Sequence, residues 1–282
     1  MTRGLIPEGG AMRGMFTCGV LDVFMEENIR FDGGAGISAG ALFGINYKSK
    51  QIGRPIRYTK KYCRDWRFCS FKSLIKTGDL YGEDFCYREI PDILDPFDRE
   101  TFKKDPFEFY VGATNLENGE EIFHKCTDCG ENDTRWLQAS ASMPAVSRFV
   151  KVDGYTLLDG GIVCPIPYEF VEGLGYDKNV AVLTQPADYV KKKTRGMFIY
   201  NRALKEYPNI AKIMGERHNL YNDMTAAIKE REKEGKLFVI RPPEALGIKR
   251  TENNPAELER VYQMGRSEAL KRLDALKEYL GD

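Results

Sequence analysis

The first fifty residues predict a right-handed crossover between two parallel strands. An apolar strand at 4–7 leads through the glycine-rich turn 8–14 into a helical pattern at 15–28, and the apolar stretch 31–37 leads into a second helical run at 41–50. Strand–helix–strand units of this kind close with right-handed connections and place helices on the faces of a parallel sheet. We therefore predict an α/β fold: a three-layer α/β/α domain with a mainly parallel central sheet and a helical C-terminal extension.

The second strand and the second helix of this unit are joined by Gly36-Ile37-Ser38-Ala39-Gly40, a G-x-S-x-G pentapeptide. In such an elbow the serine hydroxyl projects from a sharp turn, and glycine at both flanking positions avoids steric clashes. The neighbouring helix N-terminus favours the negative charge that develops during acyl transfer. Taken alone, the pentapeptide is equally compatible with a turn in which Ser38 caps a helix.

Further along the chain, two strand pairs are predicted at 108–114 with 120–125 and at 149–152 with 155–158, followed by a buried strand at 179–184. The mixed, aromatic-rich stretch 51–106 is where a substrate-facing cap is expected. After residue 186 the pattern becomes helical, with helices at 197–207 and 208–232, a strand at 236–240 and a final helix that opens at Asn254. We predict a catalytic domain over 1–186 and a mostly helical extension over 187–282 that packs on it.

Charge and cysteine content exclude several classes of function. The chain has 42 basic residues (Lys and Arg) and 42 acidic residues (Asp and Glu). The resulting net charge of zero gives no general attraction to nucleic acid. No apolar run reaches the ~18 residues of a membrane-spanning helix, and the strand at residue 4 leaves no room for a signal peptide. The seven cysteines are scattered and odd in number, which is typical of reduced thiols. We expect a cytoplasmic protein.

One segment offers metal-ligand chemistry. His124, Cys126 and Cys129 provide one imidazole and two thiols. A closed tetrahedral zinc site needs a further ligand, and no second C-x-x-C or histidine pair supplies it. We predict no metal and no other cofactor.

A serine nucleophile needs a base, and the chain has only two histidines, His124 and His218. The order Ser38, Asp159, His218 matches that of α/β-hydrolase triads, but His218 lies within a helical pattern. Asp159 ends an apolar strand and precedes Gly160 and Gly161. An aspartate, whose pKa in water is near ~3.9, serves as a base if an apolar site raises that pKa. By itself Asp-Gly-Gly is also ordinary turn chemistry.

The glycine-rich turn at 8–14 is a candidate oxyanion hole. Gly9, Gly10 and Ala11 present consecutive backbone N–H groups before a helix, and Arg13 adds positive charge. The alternative is a non-catalytic loop that binds a nucleotide or phosphate. Ala11 stands where G-x-G-x-x-G requires its second glycine, and no lysine–hydroxyl pair follows.

The chain resembles the patatin-like phospholipase family over roughly residues 4–185, because it has a glycine-rich loop, a G-x-S-x-G elbow and a D-G-G turn in this order. The segment from Ala139 to Ala145 also resembles the family, and Tyr189–Lys193 with the helical C-terminal part resembles its bacterial subgroup of predicted esterases. Members of the family use a Ser–Asp dyad instead of a triad.

The resemblance implies roles for individual residues. Ser38 would be the nucleophile and Asp159 its base, and the oxyanion loop would comprise Gly9, Gly10, Ala11 and Arg13, with Gly14, Gly36, Gly40, Gly160 and Gly161 as supporting motif positions. Ala11 replaces a usual glycine, so its N–H stays available if its φ angle is negative. Cys164-Pro165 stands where many members have Asn-Pro.

The implied substrate is the acyl ester of a lipid. The basic run from Lys191 to Arg195 suggests peripheral contact with anionic headgroups, although such a run is also typical of a solvated loop. The head group, the acyl chain, the balance between hydrolysis and acyl transfer and the oligomeric state do not follow from the sequence.

Overall fold

The structure, a computed structural model that describes residues 1–281, is built on one mixed sheet of eight strands. The strands are β1 (Arg3–Pro7), β2 (Gly33–Ile37), β3 (Glu108–Asn115), β4 (Glu121–Cys126), β5 (Val150–Val152), β6 (Tyr155–Asp159), β7 (Lys178–Val182) and β8 (Leu237–Ile240). The helices are α1 (Met15–Glu26), α2 (Ala39–Lys48), α3 (Arg54–Tyr62), α4 (Phe71–Thr77), α5 (Arg99–Lys104), α6 (Glu131–Ala141), α7 (Tyr168–Gly173), α8 (Met197–Ala203), α9 (Pro208–Lys233), α10 (Pro255–Lys271) and α11 (Leu273–Leu280). Ala11–Gly14 and Gly160–Ile162 form 3₁₀ turns, and Phe85–Leu94 is a π-helix.

Five parallel strands form the centre of the sheet, in the order β3-β2-β1-β7-β8. The remaining strands pair in antiparallel fashion: β4 and β6 with β3, and β5 with β6. Side chains alternate between the two faces, so that Leu5 belongs to one apolar core and Ile6 to another. Helices α1, α2 and α10 contribute to the first core, and α7 and α9 to the second. The predicted α/β fold with helices on both sides is confirmed.

The partners of β3 decide how the site is assembled. Gly112 pairs with Ile37 of β2 and also with β4, so these two strands lie on opposite edges of β3. Ala113 pairs with β4 and also with Asp159 of β6. Strands β2 and β6 therefore share one edge of β3, and β6 takes over where β2 ends. The last residues of the two strands meet there.

The C-terminal region is joined to the sheet and to its helical layer. Strand β8 pairs with β7 in parallel, Asn179 opposite Leu237. Helix α10 crosses α1 at two glycines: a methyl group at Gly19 would lie 2.1 Å from the carbonyl oxygen of Tyr262, and one at Gly265 would lie 2.0 Å from that of Phe16. The boundary at residue 186 stays a prediction.

The final helix is divided, which differs from the expectation of one continuous helix. Its start is as predicted, since the Asn254 side chain accepts the N–H of Ala256 at 3.1 Å. The helix ends at Lys271, where Arg272 has a φ of −102° and a ψ of 5°, and α11 begins at Leu273. Within residues 1–281, no helix is both long and apolar enough to cross a membrane.

Candidate active site

Ser38 occupies a strained elbow between β2 and α2. Its φ of 55° and ψ of −122° lie outside the regions that a non-glycine residue ordinarily adopts. Neighbouring glycines permit the turn: a methyl group at Gly40 would lie 2.1 Å from the carbonyl oxygen of Pro7, and one at Gly36 would lie 2.7 Å from the backbone of Gly40. Strain of this kind persists where the surroundings over-determine the conformation and is concentrated at functional sites.

The Ser38 hydroxyl donates a hydrogen bond of 2.8 Å to Oδ2 of Asp159. The shared edge of β3 explains this contact, because Ile37 lies opposite Gly112 and Asp159 lies opposite the next residue, Ala113. The two side chains are thus brought together from positions 121 residues apart in the sequence.

The Asp159 carboxyl group is buried, with 7% of the residue exposed. Burial raises its pKa, and the positive charge of Arg217, the Ser38 hydroxyl and the N–H of Gly161 oppose that rise. Oδ1 accepts this N–H at 2.7 Å, which leaves Oδ2 for Ser38. The pKa of Asp159 is therefore raised, as its proposed use as a base requires.

The end of α6 and the residue after it hold both members of the pair. The Ser38 N–H donates to Oγ of Ser140 at 2.8 Å, and the Asp159 N–H donates to the carbonyl oxygen of Ser142 at 2.8 Å. Ser140 is fully buried, and its hydrogen bond with Ser38 is partly buried. The sequence drew attention to this segment without indicating that it fixes the backbones of both residues.

The turn that contains Gly9, Gly10 and Ala11 lies against the elbow. A methyl group at Gly9 would be 2.7 Å from the carbonyl oxygen of Ile37 and 3.2 Å from Cβ of Ser38. Among residues 1–281, no group accepts a hydrogen bond from the N–H groups of Gly9, Gly10 or Ala11. Ala11 has a φ of 50°, so the condition of a negative φ is not met, yet its N–H still has no acceptor among residues 1–281. The alanine adopts the left-handed conformation that glycine would adopt with less strain.

The other predicted motif residues also surround the elbow. Gly14 faces Phe43 of α2, where a methyl group would lie 2.6 Å from the ring. Gly160 packs against Gly112, and Gly161 contacts both Asp159 and Arg217. The Arg13 guanidinium reaches back toward Gly10 and into a cavity, where burial lowers its pKa.

Neither histidine contacts Ser38 or Asp159. His218 lies in α9, and its Nδ1 is 3.1 Å from the carbonyl oxygen of Gly215, one turn earlier in the same helix. The geometry therefore does not support the triad alternative, because the Asp159 oxygens bond to Ser38 and Gly161 and no hydrogen bond joins His218 to either dyad residue. His124 is 2.7 Å from Asp133 and stacks on Trp136 with ring centroids 4.9 Å apart.

One group could hold a metal ion. His124, Cys126 and Asp133 offer ligand atoms that lie within 4.8 Å of one another. Asp133, which the sequence analysis did not include, already accepts the backbone N–H groups of Thr127, Asp128 and Cys129. Burial raises the pKa of Cys126 and disfavours the thiolate that zinc binds. These contacts give Asp133 a structural role in ordering the turn before α6.

Ser38 lies between two cavities that differ in polarity. The first, of about 120 Å³, is apolar and extends beneath the predicted cap. Its lining includes Leu42, Phe43, Tyr58, Phe68, Tyr81, Ile90, Phe97 and Leu137. The second, of about 400 Å³, contains the Gly9–Ala11 turn and Asp159.

The second cavity carries a group of five positively charged residues, of which sequence reasoning missed Arg217 and Arg250. The five are Arg13, Lys191, Arg195, Arg217 and Arg250. Arg217 comes from α9, where its Nε donates to the carbonyl oxygen of Gly161. Lys191 belongs to the run expected to be either a solvated loop or a headgroup contact; in the structure this lysine is partly buried and lines the cavity. Arg217 and Arg250 lie in no local motif, and their distance from Ser38 in the sequence explains why they were missed.

Comparison with known families adds a separate finding. The family model described as "Patatin-like phospholipase" matches residues 5–171, more than half of the chain. A second model, "Domain of unknown function (DUF6363)", matches residues 207–281.

Similar proteins fall into two groups. "Uncharacterized protein YjjU" of Escherichia coli is 25% identical over 283 residues, covering 93% of this chain and 74% of that protein. "Lysophospholipase nte1" of Aspergillus oryzae is 26% identical over 184 residues, or 64% of this chain but only 11% of that protein. "Lysophospholipase NTE1" of Coccidioides immitis is 24% identical, over 97% of this chain and 18% of that protein.

The chain thus spans less than a fifth of these two fungal relatives. Among solved structures, VipD from Legionella pneumophila has a TM-score of 0.47 and 12% identity, over 97% of this chain and 67% of that one.

Proposed function

Because the chain belongs to the family of patatin-like phospholipases, we propose that it is a serine acyl hydrolase that cleaves acyl esters of lipids with Ser38 as nucleophile and Asp159 as base. The hydrogen bond of 2.8 Å between the Ser38 hydroxyl and the Asp159 carboxylate at the strained elbow carries this proposal. Patatin-like and lysophospholipase relatives support the lipid class of substrate.

The proposed reaction has two halves. Ser38 Oγ attacks the ester carbonyl carbon while Asp159 takes the hydroxyl proton, and a bond from Oγ to the acyl carbon forms. The tetrahedral oxyanion is stabilised by the N–H groups of Gly9, Gly10 and Ala11, and the nearby charge of Arg13 adds to this. When the carbon–oxygen bond to the alcohol breaks, Asp159 returns the proton to the departing alkoxide.

In the second half, Asp159 accepts a proton from water, and the resulting hydroxide attacks the acyl carbon. The bond to Ser38 Oγ breaks, the proton returns to Ser38, and a free carboxylic acid leaves. The dyad needs neither a histidine nor a metal for these steps. We propose that the apolar cavity takes the acyl chain, since its lining offers hydrocarbon and aromatic surface next to Ser38.

Substitution of the dyad tests the proposal. Ser38→Ala and Asp159→Asn should each reduce hydrolysis of a short p-nitrophenyl ester at least ~10³-fold, since the residual rate comes from binding and the oxyanion loop alone. A fluorophosphonate probe should label the wild-type protein and leave Ser38→Ala unlabelled. His218→Ala serves as the matched control and should keep the wild-type rate. Wild-type rates in both dyad variants would refute the mechanism, and specific nucleotide binding without labelling would favour the non-catalytic alternative.

A further inference from the structure

We propose that the cavity on the Asp159 side of Ser38 binds the leaving group of the substrate through a terminal phosphate monoester, so that the preferred substrates are acyl esters of phosphorylated alcohols. The inference rests on the proposed acyl-hydrolase function, because it assigns the two sides of that site. It assigns one chemical class of leaving group, a phosphorylated alcohol, to the positively charged cavity.

The position of the base decides which side receives the leaving group. Asp159 lines the larger cavity and is absent from the lining of the apolar one, whereas Ser38 lines both. In the proposed reaction Asp159 hands a proton to the departing alcohol, so the alcohol must lie on the side of this carboxyl group. The acyl chain then occupies the apolar cavity, and the two halves of the ester meet at Ser38.

The charges of the larger cavity are unbalanced. Arg13, Lys191, Arg195, Arg217 and Arg250 line it, and none of the five forms an ion pair with another of residues 1–281. Two acidic residues face them. Asp159 attracts Arg217, and Glu8 attracts Arg13, as the effects on the pKa values of both arginines show.

Both carboxylate oxygens of Glu8 accept hydrogen bonds from neutral groups. Its Oε1 accepts the hydroxyl of Tyr221 at 2.8 Å, and its Oε2 accepts the N–H of Thr184 at 2.6 Å. The five cations outnumber the two acids, and neither Lys191 nor Arg250 forms an ion pair with Glu8 or Asp159. A phosphate monoester carries about −1.5 to −2 charges at pH 7 and matches these two cations. A choline headgroup would instead place a positive charge beside them.

The surroundings of Lys191 support the same conclusion. Its ammonium lies 4.9 Å from the centre of the Tyr221 ring. Burial and, after it, the charges of Arg217, Arg250 and Arg13 together lower the pKa of Lys191 to about 7, although Glu8 opposes them. A bound phosphate would offset both the repulsion among these cations and the cost of burying the lysine.

Family membership alone does not assign this specificity. Lys191, Arg217 and Arg250 lie beyond residue 171, where the match to the patatin-like family model ends. With Arg195, the region beyond residue 171 thus supplies four of the five cations, and we attribute the choice of leaving group to that region.

Soluble substrates that share one acyl group test the inference. Hexanoyl esters of glycerol 3-phosphate, of glycerol and of glycerophosphocholine are compared below their critical micelle concentrations. We expect the wild-type protein to prefer the phosphate monoester over the glycerol ester at least ~10-fold in kcat/KM, as new charge-assisted hydrogen bonds imply. Lys191→Met and Arg250→Gln should each reduce this ratio, chiefly by raising KM for the phosphorylated ester.

Lys193→Met is the matched control, because it removes an exposed lysine of the same run that does not line the cavity. The ratio should be unchanged in this variant. An equal loss of preference in Lys191→Met and Lys193→Met would point to general surface attraction and overturn the inference. A preference found only with vesicles that contain phosphatidic acid would do the same, since it would assign the effect to a lipid surface.

Inhibition distinguishes a headgroup site from a site for free phosphate. Glycerol 3-phosphate should inhibit p-nitrophenyl ester hydrolysis competitively, more strongly than inorganic phosphate. Inhibition by inorganic phosphate without any preference for the phosphorylated ester would overturn the leaving-group assignment.

Failure of the proposed function gives a different result. Hydrolysis of all three esters at equal rates, with loss in Ser38→Ala, would refute only the inference. If the wild-type protein hydrolyses no ester, the acyl-hydrolase proposal fails, and calorimetric titration with glycerol 3-phosphate then tests the cavity alone. Binding that Lys191→Met weakens would support the anion site, whereas the absence of binding would refute it.

Discussion

At the scale of single residues, Ser38 combines backbone strain with a hydrogen-bonded hydroxyl. The φ of 55° and ψ of −122° are held by the fixed N–H contact to Ser140 and by close glycine packing. Non-glycine residues in sparsely populated backbone regions lose on the order of 1–3 kcal/mol of stability. The protein therefore carries a local cost at the residue that projects into both cavities.

Paired substitutions at Ser38 should measure this strain. Ser38→Gly and Ser38→Ala both remove the hydroxyl and its bond to Asp159, but only glycine relieves the backbone. We expect Ser38→Gly to have a free energy of unfolding about 1 kcal/mol higher than Ser38→Ala, after allowing for the greater flexibility of unfolded glycine. Urea denaturation of the two variants checks this. Equal stabilities would show that the elbow is not strained.

The pH dependence of catalysis should depend on the environment of Asp159. Burial raises the pKa of this carboxyl group, and a base must be ionised to accept a proton. Activity should thus be lost as pH falls through that raised pKa. Arg217 lowers the pKa of Asp159, so Arg217→Gln should move the acidic limb of kcat/KM to higher pH, while Arg217→Lys should leave it near its wild-type position. A limb that stays in place in Arg217→Gln would contradict the electrostatic role of Arg217.

At the scale of elements, the junction of α1, α3 and α10 contains a buried acid. Oδ2 of Asp22 in α1 accepts the Tyr262 hydroxyl of α10 at 2.7 Å and the N–H of Gly53, just before α3, at 2.9 Å. Burial raises the pKa of Asp22 to about 6, and both hydrogen bonds oppose that rise. The ionised carboxylate is therefore less favourable in the folded than in the unfolded chain.

Stability should reveal this buried acid. The pKa of Asp22 is higher in the folded than in the unfolded chain. Its contribution to the free energy of unfolding is therefore fully present below pH 4 and is lost as pH rises through about 6. A rise from 3.8 to about 6 corresponds to at most about 3 kcal/mol. Relative to the wild-type protein, Asp22→Asn should thus become more stable by up to that amount between pH 4 and pH 7. Urea denaturation at several pH values measures the difference; a constant difference would be evidence against the raised pKa.

At the scale of the whole molecule, the C-terminal region completes both the sheet and the site. Strand β8 covers the edge of β7, α10 packs on α1 through the glycine crossing, and α9 brings Arg217 to Asp159. Apolar side chains from the two regions share one core, in which Val180 and Phe238 both take part. Their separation would expose apolar surface and a strand edge.

Truncation tests this integration. A chain of residues 1–186 should lack a cooperative thermal transition and should bind a hydrophobic dye, because β7 and α1 lose their covers. The full chain under the same conditions should show one cooperative transition. A cooperative transition in the fragment would mean that the predicted catalytic domain folds independently of the extension.

By itself the sequence determined the local features: the strand–turn–helix order, the elbow at Ser38, the Asp-Gly-Gly turn after β6 and the cap at Asn254. Each of these features depends on glycine geometry, apolar periodicity or helix capping within a few residues, so neighbouring positions of the sequence are enough to predict it. The family resemblance then linked Ser38 to Asp159.

Only the tertiary structure decided how these parts meet. The shared edge of β3 brings Asp159 to Ser38, and α9 and the loops around Lys191 and Arg250 surround the second cavity with positive charge. Neither outcome is visible in local sequence, because sheet register and helix docking depend on contacts between residues far apart in the chain. The left-handed Ala11 and the break at Arg272 were likewise not visible in the local sequence.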